Sequence, residues 1–243
     1  IETLPSNGTL LLSGVAVSAG DEISAADITN LVFRPAANAN GSDYDSFTFS
    51  VNDGTADSSS TYTMTVDVTA VNDAPTASNN TVTTNEDTDH TFAASEFGFT
   101  DVDGDSLDHV TIETLPSNGT LLLSGVAVSA GDEISAADIT NLVFRPAANA
   151  NGSDYDSFTF SVNDGTADSS STYTMTVDVT AVNDAPTASN NTVTTNEDTD
   201  HTFAASEFGF SDVDGDSLDH VTIETLPSNG TLLLSGVAVS AGD

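Results

Sequence analysis

The chain has 243 residues, of which 38 are acidic and only two, Arg34 and Arg145, are basic, for a formal charge of −36. Nucleic acid and anionic lipid would repel such a chain, and no run of about 18 apolar residues offers direct membrane insertion, so none of these is an expected partner. Cysteine is absent, which excludes disulfide and thiol chemistry.

Taken from its first residue, the chain repeats itself. Residues 1–111 recur as 112–222 with one difference, Thr100 against Ser211, and a third copy runs from Ile223 to Asp243. A period of 111 residues is the size of a small domain rather than of a solenoid unit. Apolar residues make up 37% of the chain and fall in alternating runs, which argues for a folded array rather than disorder.

Within one period, TNEDTDHTF, DHVTIETL, TLLLSGVAV and NLVFRP read as strands, separated by turn-rich segments such as PSNG and SAGDEISAAD. ISAADI, from Ile134 to Ile139, is the one helical hint, a single turn. SFTFSVNDG turns Phe158, Phe160 and Val162 to one face, and TYTMTVDVTAV does the same with Tyr173, Met175, Val177 and Val179. The NDGTADSS between them closes a hairpin. About seven short strands in such a length define an all-β fold: tandem Greek-key β-sandwich domains of the immunoglobulin class, joined end to end.

The joints are the two copies of AVNDAPTA, at residues 70–77 and 181–188. Pro75 and Pro186 fix φ and remove a backbone donor, so an arriving strand cannot run on through them. Counted from these joints, residues 73–183 hold one complete unit. Residues 1–72 are the C-terminal part of a preceding unit and 184–243 the N-terminal part of the next, as expected of a window cut from a longer array.

The chemistry lies in the acids. DVDGD, at 101–105 and 212–216, sets three carboxylates at alternate positions around a glycine, a spacing that folds hard oxygens onto one cation. It departs from the helix-loop-helix calcium loop, because Ser106 and Ile112 stand at its sixth and twelfth positions and strands flank it. If the last strand runs out to the joint, the turn at Asn163 and Asp164 lies at the opposite, upstream pole together with DVDGD. NGSDYD and TNED then lie at the downstream pole. The expected ligands at the first joint are therefore Asp43, Asp45, Asn72, Asp73, Asp101, Asp103 and Asp105. At the second they are Glu86, Asp154, Asp156, Asn183, Asp184, Asp212, Asp214 and Asp216. Glu197 and Asp53 would serve joints outside the window.

The order TNEDT, DVDGDSL, PSNGTL, FRPAANANGSDYDSFTFSVNDG, VNDAP resembles the cadherin-like, immunoglobulin-like calcium-binding tandem repeats of giant bacterial RTX-type surface adhesins. The resemblance covers every full period. It implies an extracellular sandwich, at the cell surface or secreted, repeated as an extender with Ca2+ clamped between neighbouring repeats. The expected function is thus a structural extender, a rod stiffened by calcium at its joints. The alternative is an adhesive or glycan-binding module, or a self-associating one that forms a surface filament through sister chains or head-to-tail contact.

Other polar residues carry less. His90, His109, His201 and His220 lack a partner at ligand spacing, Arg34 and Arg145 suit structural ion pairs near the downstream pole, and Tyr44 and Tyr155 suit caps on the core edge. No nucleophile or base stands out, so no enzyme is expected.

Overall fold

The computed structural model describes residues 1–243. Five strands precede the first joint: β1 (Gly8–Leu12), β2 (Val15–Ala16), β3 (Leu31–Pro35), β4 (Gly41–Phe49) and β5 (Tyr62–Val68). The central unit holds nine: β6 (Asn80–Asn85), β7 (His90–Thr91), β8 (His109–Thr114), β9 (Thr120–Leu123), β10 (Val126–Ala127), β11 (Glu133–Ser135), β12 (Leu142–Arg145), β13 (Gly152–Asn163) and β14 (Tyr173–Thr180). Two short strands follow the second joint, β15 (Leu233–Leu234) and β16 (Val237–Ala238). The protein is all-β, with only short 3₁₀ turns as helix.

The central unit is a sandwich of two sheets, ordered β10-β9-β12-β7 and β11-β8-β13-β14-β6. Alternation dictates its inside. Along β13, Asp156, Phe158, Phe160 and Val162 are buried, and along β14 Met175, Val177 and Val179. They meet Leu121, Leu142 and Phe144 from the other sheet, and Phe92 and Phe97 fill the middle. Phe92 packs edge-on to Phe158, and Phe97 to Phe160, the arrangement the ring quadrupoles favour. Burying seventeen such side chains is the main stabilising term.

β14 runs antiparallel to β13, from Phe160↔Tyr173 to Gly152↔Val179, with an irregularity between Gly152 and Asp156. On its other side it pairs in parallel with β6, from Met175↔Asn80 to Thr180↔Asn85. The last strand therefore runs towards the second joint, and the β13–β14 turn lies at the first, as strand polarity requires.

Three expected elements are corrected. TNEDTDHTF is not one strand: β6 ends at Asn85, Glu86 and Asp87 form a turn, and β7 begins at His90. TLLLSGVAV is a tight hairpin, because Ser124 and Gly125 both take positive φ, the twist that matches the flanking strands. In ISAADI, Ile134 belongs to β11 and the 3₁₀ turn falls at Ile139–Asn141. Both isoleucines are buried, so core contact overrides local preference there.

Arg145 grips Asp89 through two bonds, Nε–Oδ1 at 2.9 Å and Nη2–Oδ2 at 2.7 Å, tying β12 to the start of β7. That bond and the guanidinium charge hold the Asp89 carboxyl below its usual range. Tyr155 caps the core edge: its hydroxyl donates to Asn118 O, accepts from Ala147 N, and its ring meets Phe144 edge-on.

Candidate metal centre

At the first joint the DVDGD loop closes on itself. Asp101 Oδ1 accepts from the backbone N–H groups of Asp103 and Asp105, and Gly104, at φ +86°, makes the turn. Oxygens of Asp101, Asp103 and Asp105 lie within 4.8 Å of one another. The linker is pinned to this loop, for Asp73 N donates to Asp103 Oδ2 at 2.7 Å. Asn72 Nδ2 donates to Asp164 Oδ2 at 3.0 Å, which brings the β13–β14 turn to the same pole.

The second joint repeats this: Asp212 Oδ1 accepts from Asp214 N and Asp216 N, and Asp184 N donates to Asp214 Oδ2 at 2.7 Å. It also receives the preceding unit's β6–β7 turn. Glu86, 3% exposed, accepts from Val182 N and from Asn151 Nδ2. Burial, and then the charges of Asp214, Asp87, Glu86 and Asp212, push the Asp184 carboxyl above its ordinary range. Four carboxylates from two other segments thus bear on Asp184 with no cationic side chain to offset them, although only the Asp101, Asp103 and Asp105 oxygens at the first joint lie within 4.8 Å of one another.

Two carboxylate oxygens are left without a donor. Asp101 Oδ2 and Asp184 Oδ2 are buried and have no hydrogen-bond partner. A buried carboxylate oxygen without a donor is costly unless something positive sits against it. The nearest donors are carboxylate oxygens, a set that suits a hard divalent ion; His220 lines the same concavity as Asp184 and Asp212 but its Nδ1 is bonded to Asp219.

Of the sequence-derived ligands, the structure brings together Asp73 with Asp101, Asp103 and Asp105, and Glu86 with Asp184, Asp212 and Asp214; Asp216 shares the second loop. Asn72 and Asn183 flank the joints, and each donates its amide to the carbonyl of the following aspartate. Asp45 and Asp156 lie apart, and here the expectation is corrected. Asp156 is buried on the same parity as Phe158, and both its oxygens accept backbone N–H groups, from Ser117, Asn118, Gly119 and Ser157 at 2.7–2.9 Å. Asp45 makes the equivalent bonds to Ser6, Asn7, Gly8 and Ser46. Burial opposes ionisation at Asp156, but the four donors outweigh it and hold the carboxyl below its usual range. These two aspartates anchor the PSNG turn. Asp43 and Asp154 sit at the strand irregularity with positive φ, and their N–H groups bond Asp67 and Asp178.

Sequence reasoning missed Asp87 as a member of the second cluster and Asp164 as a member of the first. The signal was present in both cases: Asp87 adjoins Glu86 in a turn, and Asp164 stands at the pole where DVDGD was expected.

Residues 72–180 match the family of the bacterial Ig domain. The central unit is thus similar to an immunoglobulin-like repeat, of a kind typically borne by surface proteins. No curated protein matches the chain. Among solved structures it is similar to the endo-fucoidan hydrolase MfFcnA4 from glycoside hydrolase family 107, at 22% identity and a TM-score of 0.30, covering 63% of this chain and 20% of the hydrolase. A single-substitution variant of that enzyme gives 21% and 0.29, with 73% and 23% covered. This chain thus spans about a fifth of the hydrolases' length. These neighbours are hydrolases, against the expectation drawn from residues alone that the chain is no enzyme, and that expectation is not kept. At such a TM-score the likeness carries no reaction or residue over to it. No helix of the protein is long and apolar enough to cross a membrane.

Proposed function

We propose that the chain is an extender segment of a large extracellular surface protein, built of repeats that meet at residues 70–77 and 181–188 and are stiffened there by Ca2+. The observations that carry this are the first joint, where oxygens of Asp101, Asp103 and Asp105 lie within 4.8 Å of one another and Asp101 Oδ2 is buried without a donor, and the second, where the charges of Glu86 and Asp87 of one unit and Asp212 and Asp214 of the next bear on Asp184 of the linker, whose Oδ2 is likewise unpartnered. At the first joint Asp73, Asp101, Asp103 and Asp105 are the ligands. Asp164, held by Asn72, positions the linker.

The mechanism is electrostatic. Carboxylates packed this closely repel, so a cation-free joint is pushed open and the linker bends. A calcium ion supplies the positive charge that these side chains lack and joins segments of both units at once, so the angle between them is fixed. Extracellular calcium modules bind at roughly 10⁻⁴ to 10⁻³ M, which suits millimolar surroundings.

Calcium titration by calorimetry together with small-angle scattering tests the reading. Heat of binding and a longer, narrower distance distribution are expected as calcium is added. Scattering that stays the same while calcium binds would leave ligation without stiffening and refute the extender role; the lack of any heat would refute the site.

A further inference from the structure

β6 forms one edge of the five-stranded sheet of the central unit, and it is built unlike the other edges of the sandwich. β7 and β10 are two residues long, and β11 has three, with Glu133 among them. β6 has six, reading NTVTTN, with no charge and no proline. Folded proteins ordinarily guard so long an edge with charged side chains, prolines or bulges. Here, in a chain of 38 acids, the first acids come only after the strand, at Glu86 and Asp87.

The outer side of β6 follows from its pairing. In a parallel ladder, alternate residues turn both backbone groups to the partner strand and the others turn both away. Glu86 N donates to Thr180 O, so Val82 and Thr84 face β14, and Thr81, Thr83 and Asn85 face outward. Of the outward groups, Thr81 N donates to Asn80 Oδ1, and Asn85 O accepts from Thr88 N. That leaves Thr83 N, Thr83 O, Thr81 O and Asn85 N on a side where the sheet has no further strand. The side chains of Thr81, Thr83 and Asn85 are exposed, while Val82 and Thr84 are buried.

We propose that this edge pairs with the same edge of a second copy, antiparallel and centred on Thr83, so that two five-stranded sheets join into one. Thr83 exchanges both N–H···O bonds with Thr83 of the second copy, and Asn85 N donates to Thr81 O on either side of the axis. The groups already engaged, Thr81 N and Asn85 O, then fall opposite each other, so no free group is left facing an occupied one. Charge selects both the partner and the direction. Two chains of formal charge −36 repel, and β6 is a stretch along which they meet without acids. In the antiparallel register Glu86 and Asp87 come opposite Asn80 and Asn79 of the second copy. A parallel register would set each acid against its own counterpart, and like charges directly opposite are destabilising. The two surfaces are the same, so the contact is isologous and closes as a pair. It needs no cation and does not rest on the calcium reading.

The chain has no cysteine, so a single introduced thiol reports the register. Directly opposed residues of a hydrogen-bonded antiparallel pair have Cα atoms about 5.5 Å apart, within the span of a disulfide. The full chain is oxidised in chelator at about 1 M salt, where a Debye length of roughly 3 Å screens the repulsion between copies. Thr83→Cys should form a covalent dimer at least about tenfold faster than Thr81→Cys, whose two copies stand on opposite sides of the axis, beyond disulfide reach. In sedimentation velocity the parent should dimerise, more strongly as salt rises. Thr83→Pro should remain monomeric with unchanged thermal unfolding, because the N–H it removes makes no bond to β14. A parent that stays monomeric, equal cross-linking at the two positions, or a Thr83→Pro chain that dimerises as the parent does would each overturn the proposal.

Discussion

Asp156 inside the central unit and Asp184 at the second joint are both aspartates with poorly hydrated carboxylates, and their surroundings drive them in opposite directions. Around Asp156 the PSNG turn and the following residue aim four N–H groups at the charge, so the ion is favoured despite its burial. Around Asp184 burial is joined by four further acids, and one of its oxygens has no donor at all. The first region is electrostatically finished by the chain itself. The second is left short of positive charge, which separates an anchor from a proposed ligand more clearly than residue type or exposure does.

The largest way to break this contrast is Asp156→Ala. It strands three N–H groups of one tight turn, each costing about 1–3 kcal/mol when unsatisfied, so a loss of roughly 3 kcal/mol or more is expected in urea unfolding. Asp184→Asn should have no such cost in chelator, because it removes a charge the fold disfavours.

Calcium sharpens the contrast from the other side. At 100 times its Kd a ligand stabilises the form that binds it by about 2.7 kcal/mol per site. Added calcium should therefore raise the melting temperature of the parent, and magnesium at equal ionic strength much less. In Asp184→Asn the contribution of the second joint should vanish, while that of the first remains. An equal rise with sodium would show screening rather than coordination.

The smallest expected effect is on pH dependence, and its sign differs between the two residues. Asp184 holds its proton more tightly folded than unfolded, so in chelator the parent should lose stability relative to Asp184→Asn as pH rises from about 4. Asp156 is the reverse: its contribution is present above the ordinary aspartate value and is lost as pH falls through its depressed one. Parallel pH curves for the parent and Asp184→Asn would show that the joint does not strain that carboxylate.

Much of the fold was legible because it rests on parity. The alternation of Phe158, Phe160 and Val162 located the core, and the direction of the last strand located both poles. The same parity, carried two residues back, places Asp156 inside, and it was overlooked because acids in a loop-like motif read as ligands. Ile134 and Ile139 misled for a different reason: a run read as one helical turn from its two alanines became strand and turn because both isoleucines had core to reach. The DVDGD loops were legible as clusters from spacing alone. Asp87 was passed over although it adjoins Glu86 in the same turn, because only the meeting of the β6–β7 turn with the next linker, a long-range placement, gives it a role.

The parallel pairing of β6 with β14 has a consequence for a chain under tension. β6 is tethered through the first linker and β14 leaves through the second, so a pull along the chain draws the two strands past each other lengthwise. The six register pairs from Met175↔Asn80 to Thr180↔Asn85 are then loaded together in shear, instead of opening one after another like a zipper. Such a unit yields as a single event, at a force set by the whole ladder rather than by its weakest rung.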